Sequence, residues 1–453
     1  MQIDDLLKAY QNHPDLQGFA EKLKEDHGVI PLRNTLNQFW GSVVSLCAGF
    51  SVGKEGPAVH LGAACSSYLG SILRLPYNSI RTLCACGIAA GIAATFNTPL
   101  AAVIFVMEVI LRDYKVHIFI PVMLAAIVGS LITSSIFGRS HEYEFLQEIS
   151  LGIEHYPSLI LLGVVLGALA FLFNRYLIAV IKHSTKLHIT TRLLIAAFIT
   201  GFLGYLSPYA MGGGLASLDF SLTNSVELNL LVAMLIAKFL MTIFALGLGI
   251  PGGIIGPILS IGAIAGVCIS SISTGIIPGN YMASDYALMG MAGFLAATLN
   301  APLTALLTVM ELSNQIETIV PAMIIITTSS LISGQLLHNR SVITMQLDIQ
   351  QLAYRKPPLE RSLQKVGVLG IIQDKFNLKI MGEHQTSIPT QNVDNESFRP
   401  TIFKKQTNEG IEFYLPELDK QSNKVIQHNL IAMESQATLD QAYQALVKQR
   451  CGG

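Results

Sequence analysis

The sequence predicts an all-α polytopic membrane protein built from broken helices, with a small α/β tail. Three observations predict it. Of 453 residues, 51 % are hydrophobic and 13 % charged, and the mean hydropathy of +0.50 is too apolar for a soluble enzyme. Apolar segments recur from residue 37 to 337, interrupted so often by Gly and Pro that several are too short to cross about 30 Å of hydrocarbon as single helices. The chain also repeats itself: residues 87–109 align without gaps to 290–312, with 12 of 23 positions identical, among them Asn97/Asn300, Pro99/Pro302 and Glu108/Glu311.

Taken in order, residues 1–36 read as a polar helix with Leu6, Leu7 and Tyr10 on one side, then a loop ending at Pro31. Met1 to Arg33 is charged and has no apolar core segment, so no signal peptide opens the chain. Apolar segments follow at 37–50, 58–75, 82–96, 99–111, 117–137, 157–181, 190–206, 228–248, 254–273, 286–298, 301–312 and 318–337. Between Glu227 and Asp285 the sole charge is Lys238, which leaves room for two spans of about 20 residues each. Arg112 and Lys115 follow one segment and Lys182, Lys186 and Arg192 another, while the loop between them, 138–155, carries Glu142, Glu144, Glu148 and Glu154 against Arg139. The positive-inside rule places the basic loops in the cytoplasm and the acidic one outside. From Pro357-Pro358 onward the composition turns charged and soluble. Residues 351–429 read as a cytoplasmic linker. Residues 430–453 read as a strand-like run, a cap at Thr438 and a helix spaced by Leu439, Ala442, Tyr443, Leu446 and Val447, cut short at Cys451-Gly452-Gly453.

Composition also excludes partners. A net charge of −1 and the lack of a basic aromatic patch give no sign of nucleic-acid binding. Five of the six cysteines lie in apolar segments, and Cys84-x-Cys86 is too tight for a zinc pair and lacks a second pair, so free buried thiols are expected.

The stretch that carries chemistry is Gly53-Lys54-Glu55-Gly56-Pro57-Ala58-Val59-His60-Leu61-Gly62-Ala63, which sets two charges in an apolar surrounding. A charge at mid-membrane costs about 2.5–3.5 kcal/mol on insertion scales, so an intramembrane Glu55 marks a functional site. Gly53 and Gly56 let backbone N–H groups turn to a ligand, and Pro57 suits a first helical turn. A helix start of this kind holds anions, and Glu55 stands where an anion would. Its displacement or protonation would open the site. A phosphate loop over Gly49–Lys54 fails on spacing, and on Glu55 where Ser or Thr is required. A structural Lys54–Glu55 ion pair is the competing reading. It loses weight because the stretch repeats: Gly53, Gly56, Pro57, Gly62 and Ala63 recur as Gly253, Gly256, Pro257, Gly262 and Ala263 at a spacing of 200. Two positive helix ends would then converge on one place, as in transporters that bind at the interface of repeats.

Together with the twin N-x-P-L repeats, Met211-Gly212-Gly213-Gly214 and Gly249-Ile250-Pro251-Gly252-Gly253-Ile254-Ile255-Gly256-Pro257, this stretch resembles the CLC family of chloride channels and chloride/proton exchangers over residues 37–350. The tail from 430 looks like the start of a CBS domain. The resemblance implies an inverted-repeat CLC-type membrane fold, a homodimer in a lipid bilayer with one anion path per subunit, a bacterial inner (plasma) membrane location and a cytoplasmic tail. It implies Glu55 as the gating carboxylate and chloride as the transported ligand. Gly53, Lys54, Gly56, Pro57, Gly253, Ile254, Ile255 and Ile343 would line the anion site. No cofactor is expected, apart from a nucleotide at a complete CBS pair. Glu108 matches a carboxylate at the cytoplasmic end of its helix, Asn97 and Asn300 read as helix-start caps, Glu311 as interfacial or structural, and His60 as packing.

Departures from the family pattern shape the functional expectation. Val109 stands where exchangers carry an internal glutamate, so a proton path through Glu108 and Val109 is interrupted. Ile343 replaces a closing Tyr and Ile255 a Phe, which leaves a more apolar inner gate. No Ser-bearing loop precedes residue 37, and the family's first helices are missing, so a truncated chain is expected. The reading is voltage-gated chloride channel-type conduction guarded by Glu55. The alternatives are chloride/proton or fluoride/proton exchange. A membrane-embedded enzyme would need clustered His, Asp or Glu on facing helices, and the apolar segments supply too few.

Overall fold

A computed structural model of the chain describes residue 30 and residues 32–112, 114–138, 151–223, 227–273 and 283–349. Beyond these it describes residues 363, 367–368, 377–380, 401–407, 410–418, 425–430 and 437–450. Leu6, Leu7, Tyr10, the acidic run Glu142–Glu148 and Cys451 lie outside them. Two compact units are present: residues 1–73 with 80–354, and residues 74–79 with 355–453.

Among its described residues the first unit folds into helices joined by turns. Its helices are α1 (Leu32–Cys47), α2 (Glu55–Ile72), α3 (Tyr77–Phe96), α4 (Pro99–Leu111), α5 (Val116–Phe137), α6 (Tyr156–Ser184), α7 (Ile189–Leu206), α8 (Leu215–Thr223), α9 (Leu228–Gly247), α10 (Ile255–Ser273), α11 (Ala283–Leu299), α12 (Pro302–Ser313), α13 (Ile319–Leu336) and α14 (Val342–Ile349). Among the described residues seven helices are long and apolar enough to cross a membrane, while α4 and α12 are apolar but short. These are the broken helices that Gly and Pro foretold; α8 and α14 escaped the sequence reading because neither is a long apolar run.

Burial sorts the helices into layers. α10 and α11 are enclosed along nearly their whole length, from Ile255 to Ser270 and from Ser284 to Leu299. α5 and α7 point large apolar side chains outward, among them Ile120, Leu124, Leu131, Phe198, Phe202 and Tyr205. In water such faces would be a liability; in lipid they are the solvated surface. Glycines set the tightest crossings. A Cβ at Gly62 would run into the Gly87 carbonyl, and one at Gly262 into the Gly290 carbonyl, so α2 on α3 and α10 on α11 pack backbone to backbone in both halves. Cys84, Cys86 and Cys268 are buried free thiols, while Cys47 and Cys65 are free and exposed.

The second unit holds a four-stranded sheet in the order β1-β2-β3-β4: β1 (Asn377–Ile380), β2 (Thr401–Thr407), β3 (Gly410–Leu418) and β4 (Val425–Leu430). β1 pairs parallel with β2, and the other pairs are antiparallel, with Phe403 opposite Tyr414 and Phe413 opposite Leu430. The stretch 351–429, expected to be a linker, therefore contains strands. Its alternation is diluted by Lys404, Lys405, Glu412 and Pro416, so it carries no long apolar run to read. Helix α15 (Leu439–Arg450) starts where the sequence placed it: Thr438 N–H donates to Gln441 Oε1 at 2.9 Å, the reciprocal half of a capping box.

Candidate functional site

The site is assembled from the same device used twice. α1 ends in a turn where Gly49 takes a left-handed conformation (φ 78°), with Gly49 N–H to Leu46 O at 3.1 Å and Phe50 N–H to Ser45 O at 3.2 Å. α9 ends the same way at Gly249 (φ 89°), with Gly249 N–H to Leu246 O at 3.1 Å and Ile250 N–H to Ala245 O at 2.9 Å. Both are Schellman-type stops, which need a residue without a Cβ penalty in the left-handed region. Each stop is followed six residues later by a new helix, α2 at Glu55 and α10 at Ile255.

The two turns meet. Gly53 N–H donates to Gly253 O and Gly253 N–H to Gly53 O, both at 2.7 Å, an isolated antiparallel bridge about a local two-fold relation. The starts of α2 and α10 therefore lie side by side, with their unpaired N–H groups at one place.

Glu55 occupies that place. It is 1 % exposed, and its Oε1 accepts the Gly256 N–H at 2.9 Å, so a carboxylate from the first repeat caps the helix of the second. A Cβ at Gly53 or at Gly253 would overlap the carboxylate, and one at Gly256 would lie 3.3 Å from Oε2. Three glycines thus clear the volume the carboxylate fills. Oε2 is buried without a hydrogen bond. Gly56 and Pro57 form the first turn of α2, and Ile254 and Ile255, both buried, form the approach to α10. The wall is completed by the turn between α7 and α8: Gly212 N–H donates to Gly49 O at 3.0 Å, and a Cβ at Gly256 would be 3.0 Å from Gly213 O.

Other predicted residues go elsewhere. Ile343 is buried in the first turn of α14, and Val109 is buried in the π-helical end of α4. Glu108 is engaged as a helix cap: Oε1 accepts Leu303 N–H at 3.2 Å, and Oε2 accepts Thr304 N–H at 2.8 Å and Thr304 Oγ1 at 2.7 Å. Glu311 does the same in reverse, accepting Leu100 N–H at 2.9 Å and Ala101 N–H at 2.8 Å. Each repeat caps the short helix of the other. The expectation that Asn97 and Asn300 are helix-start caps is corrected. Both sit in the left-handed region (φ 56° and 53°) and close the preceding helices, while Thr98 and Ala301 hold the N-cap positions without side-chain caps. Asn97 Oδ1 instead accepts Ser130 Oγ at 2.5 Å and Ser134 Oγ at 3.2 Å. His60 is buried in α2, and among the described residues no cluster of His, Cys, Asp or Glu could hold a metal ion.

Three residues near the site were given no role from sequence, although Lys238 stood out there as a lone charge. Ser51 Oγ and Thr242 Oγ1 are 2.8 Å apart, tying the turn before Glu55 to α9. Lys238, one helical turn earlier on α9, is fully buried and donates to Ala210 O at 3.1 Å and Gly212 O at 2.6 Å.

A multi-pass membrane protein with paired glycine helix starts and a carboxylate wedged between them is the class that fold and site define. The voltage gated chloride channel family model matches residues 9–334, and the chain belongs to that family. The match takes in residues 9–36, which the motifs had left out. Solved structures agree in fold. A slow cyanobacterial Cl⁻/H⁺ antiporter is similar at TM-score 0.67 and 22 % identity, over 77 % of this chain and 85 % of that one. A CLC-type fluoride/proton antiporter is similar at TM-score 0.64 and 24 % identity, over 75 % and 82 %. A eukaryotic CLC transporter is similar at TM-score 0.63 and 19 % identity, over 98 % and 82 %.

Proposed function

We propose that this protein moves chloride through a path guarded by Glu55, with the anion taking the carboxylate's place when the path opens. The observation that carries this reading is the reciprocal Gly53–Gly253 bridge, which sets two helix starts against one buried carboxylate whose Oε1 accepts the Gly256 N–H. Helix N-termini favour negative charge, and a carboxylate held mainly by backbone donors is replaceable by a soluble anion of similar charge. Passive, gated conduction is the preferred mode, because Val109 is apolar and buried and Glu108 is committed to capping α12. The family name, voltage gated chloride channel, agrees with it. A unit charge crossing 100 mV gains about 2.3 kcal/mol, enough to drive the flux.

Exchange is the second reading, favoured by the likeness in fold to a Cl⁻/H⁺ and a fluoride/proton antiporter. One experiment separates them: anion efflux from vesicles holding the purified protein, with pH recorded at the same time. Conduction gives chloride flux without coupled proton movement, whereas exchange drives protons against their gradient when a chloride gradient is applied. Glu55→Gln, a fixed mimic of the protonated side chain, is expected to pass chloride at a rate independent of pH. Wild-type flux with unchanged pH dependence in that variant would remove Glu55 from the gate. Assembly as a homodimer, a bacterial inner membrane location with a cytoplasmic tail, and a CBS-like tail that binds a nucleotide only when paired complete the proposal. The capped helix α15 following the β4 strand supports the last of these.

A further inference from the structure

We propose that Lys238 is a positioning residue of the anion site: its ammonium holds the Ala210–Gly214 turn against the two helix starts and so fixes the third wall of the cradle. The inference rests on the anion reading of that cradle. Lys238 lies mid-helix in α9, is fully buried, and spends its donors on backbone carbonyls, Ala210 O at 3.1 Å and Gly212 O at 2.6 Å. A buried ammonium is costly unless its donors are met, and here backbone carbonyls meet them. The carbonyls that receive it lie at the end of the single 3₁₀ turn Pro208–Ala210 and in the irregular stretch after it, in which Gly212 and Gly214 both adopt positive φ (71° and 114°). Such a turn needs an outside anchor to keep one conformation.

What the anchor fixes is the site. Gly212, whose carbonyl binds Lys238, sends its own N–H to Gly49 O at 3.0 Å, the left-handed stop before the Glu55 stretch. The next residue, Gly213, places its carbonyl against Gly256, the residue that donates to Glu55. Gly214 then packs on Ser260, one turn into α10. Thr242 lies four residues after Lys238, so both side chains leave the same face of α9. Thr242 Oγ1 donates its one proton to Lys238 O at 2.8 Å and so accepts from Ser51 Oγ, also 2.8 Å away. A single face of α9 thus grips the loop before α2 and the loop before α8, and these two loops with the start of α10 enclose the carboxylate.

The test combines amide hydrogen exchange with chloride flux on the full-length protein in vesicles, comparing Lys238→Met with Lys238→Gln. Both side chains are one atom shorter than Lys and alike in reach; Met loses every donor, whereas Gln keeps two N–H donors and loses the charge. Exchange of the Gly212 amide is expected to quicken about tenfold or more in the Met chain, the effect of losing the bonds that hold its turn. Amides in α6 are expected to stay as slow as in wild type. The Gln chain is expected to stay near wild type, and half-saturation by chloride is expected to rise about tenfold in Met alone. A Met chain that fails to fold beside a Gln chain with wild-type exchange also supports the role of the donors. Unchanged Gly212 exchange in Met, equal quickening across α6 and α11, an unchanged half-saturation in a loosened Met chain, or a Gln chain as loose as Met would each overturn the proposal. If the wild-type protein carries no chloride, the anion reading fails by itself, and the exchange comparison still decides whether Lys238 holds the turn.

Discussion

At the scale of residues, the site turns on the absence of side chains around one that is present. Glu55 is legible in the sequence because a carboxylate flanked by Gly53 and Gly56 in an apolar run has few other uses in a membrane. The spacing that repeats at Gly253 and Gly256 reveals the partner helix start as well. What no pattern records is that Gly253 backs directly onto the carboxylate, where a Cβ would also approach Gly56 N to 2.7 Å. Gly253→Ala is therefore expected to displace the carboxylate and to weaken chloride retention about tenfold, or about 1.4 kcal/mol. Binding calorimetry in detergent checks it, with an unchanged melting temperature as control; unaltered affinity would show the cradle to be more yielding than its geometry. Lys238 was visible as a lone charge, but its partners are carbonyls 26 and 28 residues away, and carbonyls are the same at every position.

At the scale of elements, short helices α4 and α12 depend on acids supplied by the opposite repeat. Neither N-cap residue, Thr98 or Ala301, makes a side-chain cap, so the exposed N–H groups of each first turn rely on Glu311 and Glu108. Glu108→Ala and Glu311→Ala are each expected to lower stability by about 0.5–2 kcal/mol, the range for loss of an N-cap. Denaturant or thermal unfolding of the detergent-solubilised protein measures this, and a loss at only one of the two would break the proposed equivalence of the halves. The sequence reading failed here for a definite reason. Pro99 and Pro302 push Thr98 and Ala301 out of the helical region, so Asn97 and Asn300 fall on the ends of α3 and α11, where Asn tolerates a left-handed backbone. The capping acids lie about 200 residues from the helices they serve, and only the repeat itself, matching Glu108 to Glu311, hinted that they act as a pair.

At the scale of the whole molecule, the layering of helices is an adaptation to two solvents, lipid outside and backbone-packed protein within. α10 and α11 cross at Gly262 and Gly290 and are enclosed, while α7 turns Phe198 and Tyr205 outward, at 74 % and 86 % exposure. Phe198→Arg would place a charge in hydrocarbon at a cost of about 2.5–3.5 kcal/mol and is expected to reduce the membrane-inserted yield. Fractionation of expressing cells reads it, and undiminished insertion would mean that this face of α7 is covered by protein. Apolar segment lengths, the Gly-Pro breaks and the repeat determined by themselves that the chain is a membrane protein of two related halves, because hydropathy and spacing act locally along the chain. Only the tertiary structure decided which helix ends meet, that each half caps the other, that α9 reaches the α7–α8 turn, and that residues within 351–429 form strands. These are pairings between backbone groups distant in sequence, and a backbone amide leaves no mark in the letters that spell the chain.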